Sequence, residues 1–416
     1  MTTRTNRRSY DARQDIIDAI VASRVTSPIL KNKSEIKRYL QQYFINVPYE
    51  DLAGRDAGIM ARVALDHLEF GANRNRGEAL LRIFNANEKE HGYTSAFTFI
   101  EMINDDMPFL VDSVAAAINR QDLAVHITVH PIISVKRDNH GKLTAVTTPD
   151  NADAYSESFI RFAITRTKDE KVIKALHKAI VKTLSDVRVA VRDWGKMRQR
   201  MRETRDLIEN GPKGVDPLLR TETQALLDWM VDEHFTFLGY REYTLSKRGK
   251  QTFLDVVKGS GLGILCGKSR SGKSIELTAE MQRLARSRDW LVLTKANSRS
   301  TVHRPAYLDY VGVKIYDEKG NAIGERRFVG LLTSIAYSES PRNIPLLRHK
   351  VRKIFERAHV EEVGHRGKAL LHIIETYPRE ELFQSSIQDL TRTTCLLYTS
   401  DAADECCGVG GWGGGG

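Results

Sequence analysis

The stretch GKSRSGKS, residues 267–274, has the residue types and spacing of a phosphate-binding loop. Such a G-x-x-x-x-G-K-[ST] pattern holds nucleotide phosphates when it connects a buried strand to the first turn of a long helix. The residues after Ser274 alternate in polarity instead of opening a helix, and no apolar run ending in Asp supplies a magnesium ligand. We therefore interpret 267–274 as an exposed basic loop, and a nucleotide-binding protein is the less favoured alternative.

A second candidate for chemistry is the polar and aromatic stretch TVHRPAYLDYVGVK, residues 301–314. Its candidate contacts for a regulatory ligand are His303, Arg304, Tyr307 and Asp309. In the alternative interpretation Arg304 and Asp309 form an internal ion pair, while Tyr307 and Tyr310 pack against a sheet. We favour this alternative, because charged and aromatic residues in such a pattern more often stabilise a fold than bind a ligand.

Two adjacent carboxylates, Asp105 and Asp106, follow a predicted strand over 94–104 and form a third candidate site for a regulatory ligand. Either side chain can cap the helix predicted after them, and Pro108 suits the first turn of that helix. The turn resembles the strand-to-helix loop of ACT domains, which bind amino-acid effectors or mediate pairing. That loop often carries a glycine where this chain has Phe109, which favours a core or interface role for the aromatic ring.

Metal, disulfide and dinucleotide chemistry lack support in the sequence. His126 and His130 lie on one face of a predicted strand without a third ligand, so we predict no metal site. The first 394 residues contain a single cysteine, Cys266, which fits a reducing cytoplasm. Residues 408–413 match G-x-G-x-x-G, but they have no strand before them and no room for a helix after them.

The composition is that of a globular protein of two or three domains, with 416 residues, 41% hydrophobic, 28% charged and a formal net charge of +10. The lysines and arginines are dispersed, and no basic stripe with interleaved aromatics is visible, so we expect no nucleic-acid partner. No apolar run is long enough to span a membrane. We expect a cytoplasmic protein with no membrane partner.

The predicted elements indicate an α+β fold. Helical spacing occurs over 33–44, 54–68 and 168–187, whereas alternation predicts strands over 94–104, 123–137, 156–167 and 186–193. With the helix after Asp106, the order is β-α-β-β-α-β, which is the ferredoxin-like order. Later strand candidates begin with FTFLGYREYTL, residues 235–245, and indicate a mostly antiparallel, PAS-like sheet.

These patterns predict six segments along the chain. They are a flexible tail over 1–30, an ACT-like domain over 31–195, connecting helices over 196–232, a PAS-like domain over 233–340, a helical linker over 341–394 and a Gly-rich tail over 395–416. The last segment begins at Cys395 and resembles translated sequencing adaptor. We therefore expect the natural frame to end near Thr394.

Six stretches in order are similar to the N-terminal part of the large bacterial NAD-specific glutamate dehydrogenases. They are MPFLVDSV, FTFLGYREY, LTKANSRSTVHRPAYLDYVGVK, GERRFVGLLTSIAY, IPLLRHKV and ETYPREELFQ. The resemblance covers about residues 13–392. It implies a regulatory and assembly portion of an oxidoreductase of amino-acid catabolism, which converts L-glutamate and NAD to 2-oxoglutarate, ammonium and NADH.

The resemblance also implies which partners and cofactors to expect. NAD serves the full-length parent, and we predict that this chain binds no cofactor and carries no catalytic residue, because it stops before the catalytic region. The expected partners are the catalytic half of the same chain, further copies in a homo-oligomer, and an amino-acid effector. The alternative is a free-standing amino-acid-sensing module of ACT and PAS type.

Overall fold

The computed structural model describes residues 2–30, 32–209, 215–249, 251–267, 274–278, 282 and 289–408, and only the backbone of 2–11 and 399–408. The chain divides into two compact units. Unit 1 comprises Met1–Val187 and Thr301–Pro305, and unit 2 comprises Arg188–Ser300 and Ala306–Gly416. The division falls at residue 187, somewhat before the predicted domain end at 195.

Helices open unit 1 and also connect its first strands. They are α1 (Thr2–Ala22), α2 (Lys33–Phe44), α3 (Tyr49–Leu52), α4 (Ala57–Phe70), α5 (Glu88–His91) and α6 (Leu110–Asn119). The predicted helix over 33–44 is confirmed, and the Asn32 side chain caps it by accepting from the Ser34 amide. The flexible tail expected over 1–30 is wrong for the described side chains, because Ile17 and Ile20 of α1 are fully buried in the core.

The sheet of unit 1 is antiparallel. Its strands are β1 (Leu80–Asn85), β2 (Thr98–Asp105), β3 (Val125–Val129), β4 (Ile132–Arg137), β5 (Leu143–Val146) and β6 (Tyr155–Ile164). Their order is β1-β2-β6-β4-β5, and β3 also pairs with β6. The single strand predicted over 123–137 is thus two strands, which are interrupted at Pro131, a residue without an N–H for the ladder.

The fourth strand predicted over 186–193 is wrong, since these residues lie inside one long helix, α7 (Glu170–Asp206). The apolar stripe of the preceding helical turns continues through the segment at intervals of three and four residues, at Leu176, Ile180, Leu184, Val187 and Ala190. The edge of the sheet beside β2 is occupied instead by β1, which precedes it in the chain. The α+β fold class is confirmed with this change of strand order.

One face of the unit 1 sheet packs against α1, α2 and α4. Ile103 of β2 and Phe159 of β6 are register partners and contact Tyr39 and Leu65 from the helices within one buried cluster. Alternation then directs Glu101 and Arg161, the next register pair on this face, toward the same helices. This arrangement places two opposite charges in an otherwise apolar layer.

Unit 2 contains the second antiparallel sheet, as predicted. Its strands are β7 (Phe235–Arg248), β8 (Gln251–Val256), β9 (Leu262–Gly263), β10 (Ile275–Glu276), β11 (Leu291–Arg299), β12 (Tyr307–Tyr316) and β13 (Ala322–Leu332). The order is β10-β8-β7-β13-β12-β11, with β9 beside β7. The turn expected between β12 and β13 forms at Asp317, whose carboxylate accepts from the Lys319 and Asn321 amides.

The helices of unit 2 cover one face of this sheet. They are the second half of α7, α8 (Pro217–Trp229), α9 (Ser334–Ser338), α10 (Leu347–Ala358), α11 (His365–Thr376), α12 (Arg379–Gln384) and α13 (Ile387–Gly408). Val311, Val313 and Phe328 of the sheet share one buried cluster with residues of these helices. The helical character predicted over 341–394 agrees with this arrangement, and α13 continues from Cys395 to Gly408.

Candidate functional site

Asp105, a predicted ligand contact, binds groups of its own unit in the structure. Its Oδ1 accepts from Arg74 Nη2 at 2.7 Å and its Oδ2 accepts from the Gly77 amide at 2.9 Å. Arg74 is fully buried and also contacts Glu157. The prediction that Asp105 caps the following helix is wrong, because helix α6 begins only at Leu110. Asp105 therefore anchors the loop before β1.

Asp106 is exposed and faces an open concavity of about 440 Å³, which is lined by residues 106–112 and His130. Its Oδ1 accepts from Ser158 Oγ at 2.6 Å, and Ser158 Oγ lies 3.1 Å from His130 Nε2. Because the hydroxyl proton is directed at Asp106, the imidazole Nε2 serves as donor to the serine oxygen. Burial lowers the pKa of His130, so this imidazole is neutral near pH 7.

Phe109 occupies the N-cap position of α6 in the left-handed conformation, with φ of 72°. No side chain caps this end of the helix, although Asp105 and Asp106 were predicted to do so. A bulky residue in this conformation is strained by roughly 1–2 kcal/mol. The loop thus has the backbone geometry that a glycine adopts easily. The Phe109 ring itself lies 5.1 Å from the His303 ring.

The four candidate residues of the 301–314 stretch have different surroundings. His303 belongs to unit 1, where its amide donates to Ser113 Oγ at 2.8 Å and its Nδ1 lies 3.5 Å from Asp112 Oδ2. Arg304 is half-buried, and Tyr307 is 49% exposed with the Arg299 guanidinium 5.1 Å from its ring centre.

Asp309, the last of these candidates, is buried in unit 2. It binds Lys295 Nζ at 2.6 Å and accepts from the Leu332 amide at 2.9 Å. The sequence analysis anticipated Arg304 as the ion-pair partner of Asp309, but the cation that Asp309 binds is Lys295, its register partner on β11. We conclude that Asp309 holds β11 and β13 to β12.

Most of the motif at 267–274 falls outside the described residues, namely 268–273. The preceding strand β9 has two residues and pairs antiparallel with β7, whereas a phosphate-binding loop follows a strand of a parallel sheet. Ser274 hydrogen-bonds to Asp255, and Arg248 Nη2 donates to Ser274 Oγ at 3.1 Å. The Ser274 hydroxyl is therefore engaged in contacts of the sheet.

Besides the contacts of Arg74 with Asp105 and Glu157, the sequence analysis missed two buried ionic clusters that lie beside cavities. In unit 1, Arg161 binds Glu101 and donates to Tyr93 OH at 2.8 Å beneath an apolar cavity of about 270 Å³. In unit 2, Arg327 binds Glu325 and the hydroxyls of two tyrosines beside a cavity of about 320 Å³. Charged residues at alternate positions of apolar strands were the only available signal, and the partners lie on other strands.

Two further properties concern the part of the chain that the structure describes. It contains no group of three or more His, Cys, Asp or Glu side chains placed to hold a metal ion. None of its helices combines the length and the apolar character that a membrane span requires.

Two domain families match the chain. The model of the glutamate dehydrogenase ACT1 domain matches residues 39–180, and the model of glutamate dehydrogenase helical motif 1 matches residues 344–398. The first range contains the sheet of unit 1 and the loop with Asp106, and the second contains α10 to α12 and the start of α13. The fold and these matches define an α+β protein with an ACT domain.

Curated relatives give the more particular assignment. The chain is 34% identical over 390 residues to the NAD-specific glutamate dehydrogenase of Halomonas elongata, covering 92% of this chain and 24% of the relative. The enzyme of the same name from Pseudomonas aeruginosa is 31% identical over 367 residues, and that of Mycobacterium tuberculosis is 26% identical over 330 residues. These cover 87% and 78% of this chain, but 23% and 19% of the relatives.

The chain belongs to the NAD-specific glutamate dehydrogenase family and corresponds to its N-terminal portion. It spans about a quarter of the length of the first two curated relatives.

Proposed function

We propose that this chain is the N-terminal regulatory and assembly portion of an NAD-specific glutamate dehydrogenase. The observation that carries the proposal is the ACT1 match over residues 39–180, together with relatives of which the chain spans about a quarter. In the parent enzyme, L-glutamate and NAD are converted to 2-oxoglutarate, ammonium and NADH by the remaining length of the polypeptide. We assign no catalytic residue and no NAD-binding residue to this chain.

The effector of this portion is an amino acid, and its site is the concavity beside Asp106. The exposed Asp106 carboxylate suits an ammonium group. The amides at the uncapped start of α6 suit a carboxylate, because N–H groups and the helix dipole favour negative charge there. Asp106 and the first residues of α6 line the same concavity, so groups for both charges of a free amino acid are present in one site.

Assembly and location complete the proposal. The parent enzyme is a cytoplasmic homo-oligomer, and this portion contacts the catalytic part of its own polypeptide. Helical motif 1, matched over residues 344–398, favours a piece of the dehydrogenase over a free-standing amino-acid sensor, because that motif is described for glutamate dehydrogenases.

The first test is calorimetric titration of the folded chain with a panel of amino acids, with NAD and with ATP–magnesium. We expect one amino acid to bind and the Asp106→Asn variant to bind it about tenfold more weakly, because a charge-assisted hydrogen bond is lost. The matched control is Asp153→Asn, whose carboxylate is 85% exposed and pairs with Lys136.

Equal affinity in Asp106→Asn and the wild type would place the effector elsewhere. If no amino acid binds, the sensing role is contradicted and assembly is the remaining proposed role. Binding of ATP–magnesium that disappears in Lys273→Ala would restore the nucleotide-binding alternative.

A further inference from the structure

The second face of the unit 2 sheet carries a buried polar cluster that the dehydrogenase function does not explain. Residues of β12 and β13 alternate, so Val311 and Phe328 face the helices while Tyr310 and Arg327 face the opposite side. An uncovered sheet face is normally solvated and polar. Here the Arg327 side chain is only 14% exposed and the Glu325 side chain 12%.

The Arg327 guanidinium is held between two aromatic rings. Its centre lies 4.2 Å from the Tyr243 ring and 4.9 Å from the Tyr310 ring. Its Nε donates to Tyr310 OH at 3.0 Å and to Glu325 Oε1 at 3.1 Å, and its Nη1 donates to Tyr243 OH at 3.2 Å. A planar cation fixed in this way has lost its rotamer freedom before any ligand arrives.

The Nη2 group of Arg327 is available for a ligand. Among the described residues, Arg327 Nη2 has no hydrogen-bond partner, although every other nitrogen of the guanidinium has one. Burial raises the pKa of Tyr310, so its hydroxyl stays neutral and donates to Glu325. The cluster therefore presents a charged NH₂ group with its neighbours already satisfied.

Gly312 makes room for this arrangement. A Cβ at position 312 would lie 2.8 Å from Tyr310 Cε1 and 3.2 Å from the Glu325 carboxyl carbon. Both atoms belong to the cluster, so any larger residue would displace it. The backbone of β12 is thus fitted to these side chains.

The cavity beside the cluster has a volume of about 320 Å³. Its polar lining includes Arg327, Glu325, Tyr310 and Lys314, with Thr294, Lys295 and Asn297 of β11. Its aliphatic lining is a leucine wall of Leu245, Leu254 and Leu277 on the β7 and β8 side, whereas Val292 lies on β11. Pockets for small molecules typically occupy roughly 300–1,000 Å³ and combine an apolar lining with a few placed polar groups.

We propose that this cavity binds a small carboxylate with a short aliphatic or aromatic group, in which the carboxylate accepts from Arg327 Nη2 and the apolar group contacts the leucine wall. Among the described lining residues, three cations, Arg327, Lys314 and Lys295, accompany one carboxylate, Glu325, so the lining favours an anion even though Lys295 is paired with Asp309. The apolar wall excludes a fully hydrated anion such as phosphate, which would leave its oxygens unsatisfied there. This site is separate from the Asp106 concavity and lies wholly within unit 2.

The test uses three probes on the wild-type chain: 3-methylbutanoate, its neutral analogue 3-methylbutanamide, and inorganic phosphate. Dissociation constants are measured by ligand-observed NMR on folded protein. We expect the carboxylate to bind at least about tenfold more tightly than the amide, because the charge-assisted bond to Arg327 is lost. We expect phosphate to compete poorly.

Variants locate the binding. Arg327→Gln should weaken carboxylate binding about tenfold or more, and Val292→Phe should weaken it by occupying part of the cavity without changing the charge. The matched control is Arg326→Gln, which removes a neighbouring charge from the opposite face, where Arg326 contacts Thr204.

Equal affinity for the carboxylate and the amide would overturn the proposal, as would effective competition by phosphate. Unchanged binding in folded Arg327→Gln would do the same. The comparison of the two isosteres needs only the wild type, so it decides the matter even where a variant fails to fold.

Discussion

Substitution of Glu157 by Gln in unit 1 tests how a buried carboxylate holds this sheet together. Glu157 is fully buried on β6. It accepts from Arg74 Nη2 at 2.7 Å and from Arg137 Nε and Nη2 at 2.7 and 2.8 Å. The side chains of both arginines are at most 1% exposed. Glu157 therefore joins the loop before β1 to β4 through β6.

The expected loss of stability in Glu157→Gln depends on the hydrogen-bond partners that the two arginines retain. The glutamine side chain of Glu157→Gln would keep the shape and one acceptor oxygen, but of the two buried guanidinium groups only that of Arg74 would retain a carboxylate partner, Asp105, while Arg137 would keep the Gly141 carbonyl. Breaking a buried ion pair by removing one partner costs about 3–5 kcal/mol. For a domain of this size, each kcal/mol lowers the melting temperature by roughly 2–4 °C, so we expect a decrease of roughly 6–20 °C.

The assay exploits the distribution of tryptophan. Of the four tryptophans, those at 194, 229 and 290 lie in unit 2, and Trp412 lies outside the described residues. Far-UV circular dichroism follows both units during heating, whereas tryptophan fluorescence follows unit 2. We expect Glu157→Gln to lower the melting temperature of a transition seen by circular dichroism. The control Glu170→Gln, at a side chain that is 83% exposed, should change stability by less than about 1 kcal/mol.

A melting temperature of Glu157→Gln that matches the Glu170→Gln control would refute this reasoning. It would mean that water or side-chain rearrangement compensates the two arginines, so that the hydrogen bonds of Glu157 add little to the free energy of unfolding. Replacement of Glu157 by Asp offers a second comparison, because it retains the charge and shortens the side chain.

Two further predictions concern other buried polar groups. His67 is fully buried between Tyr43 OH, 3.0 Å from Nδ1, and the Met102 carbonyl, and burial lowers its pKa to about 4. The unfolded state binds this proton more tightly than the folded state. The free energy of unfolding therefore falls as the pH decreases from about 6.5 to 4, by roughly 3 kcal/mol at the acid end. Unfolding titrations of His67→Gln should show a correspondingly weaker acid dependence than the wild type, and equal slopes would count against it. Lys350 Nζ donates to the carbonyls of Leu382, Phe383 and Ser385 at 2.8–2.9 Å. Lys350→Met leaves these carbonyls without their donor, so we expect denaturant unfolding to show unit 2 destabilised by roughly 2–4 kcal/mol. A decrease in the free energy of unfolding below about 1 kcal/mol would contradict this prediction.

Local patterns predicted much of the fold because their causes are local. Helix α2 begins after Asn32 and ends where its apolar period ends, and both signals lie within a dozen residues. The turn at Asp317 is likewise determined by side-chain contacts two and four residues away. The strand predicted over 186–193 failed because a short alternating stretch also satisfies a helical stripe, and the long-range packing of α7 decided between them.

The sites depend on contacts between distant residues, which explains why the sequence located them poorly. Asp105 looked like a helix cap, but its partner Arg74 lies 31 positions earlier on a different element. The cluster around Arg327 needs the register between β7, β12 and β13, since Tyr243 lies 84 positions away. Residue types indicated polar positions in these strands, but only the pairing shows which of them meet.

The burial of α1 has a consequence for dissecting this polypeptide. The ACT1 match begins at residue 39, yet Ile17, Ile20 and Leu30 are part of the same buried cluster as Tyr39 and Phe159. A recombinant fragment trimmed to the matched range would expose this apolar surface to solvent and invite aggregation. A fragment beginning after β1 would also leave β2 as an open edge, available for pairing with other chains. Soluble expression of unit 1 therefore calls for a start upstream of Ile17.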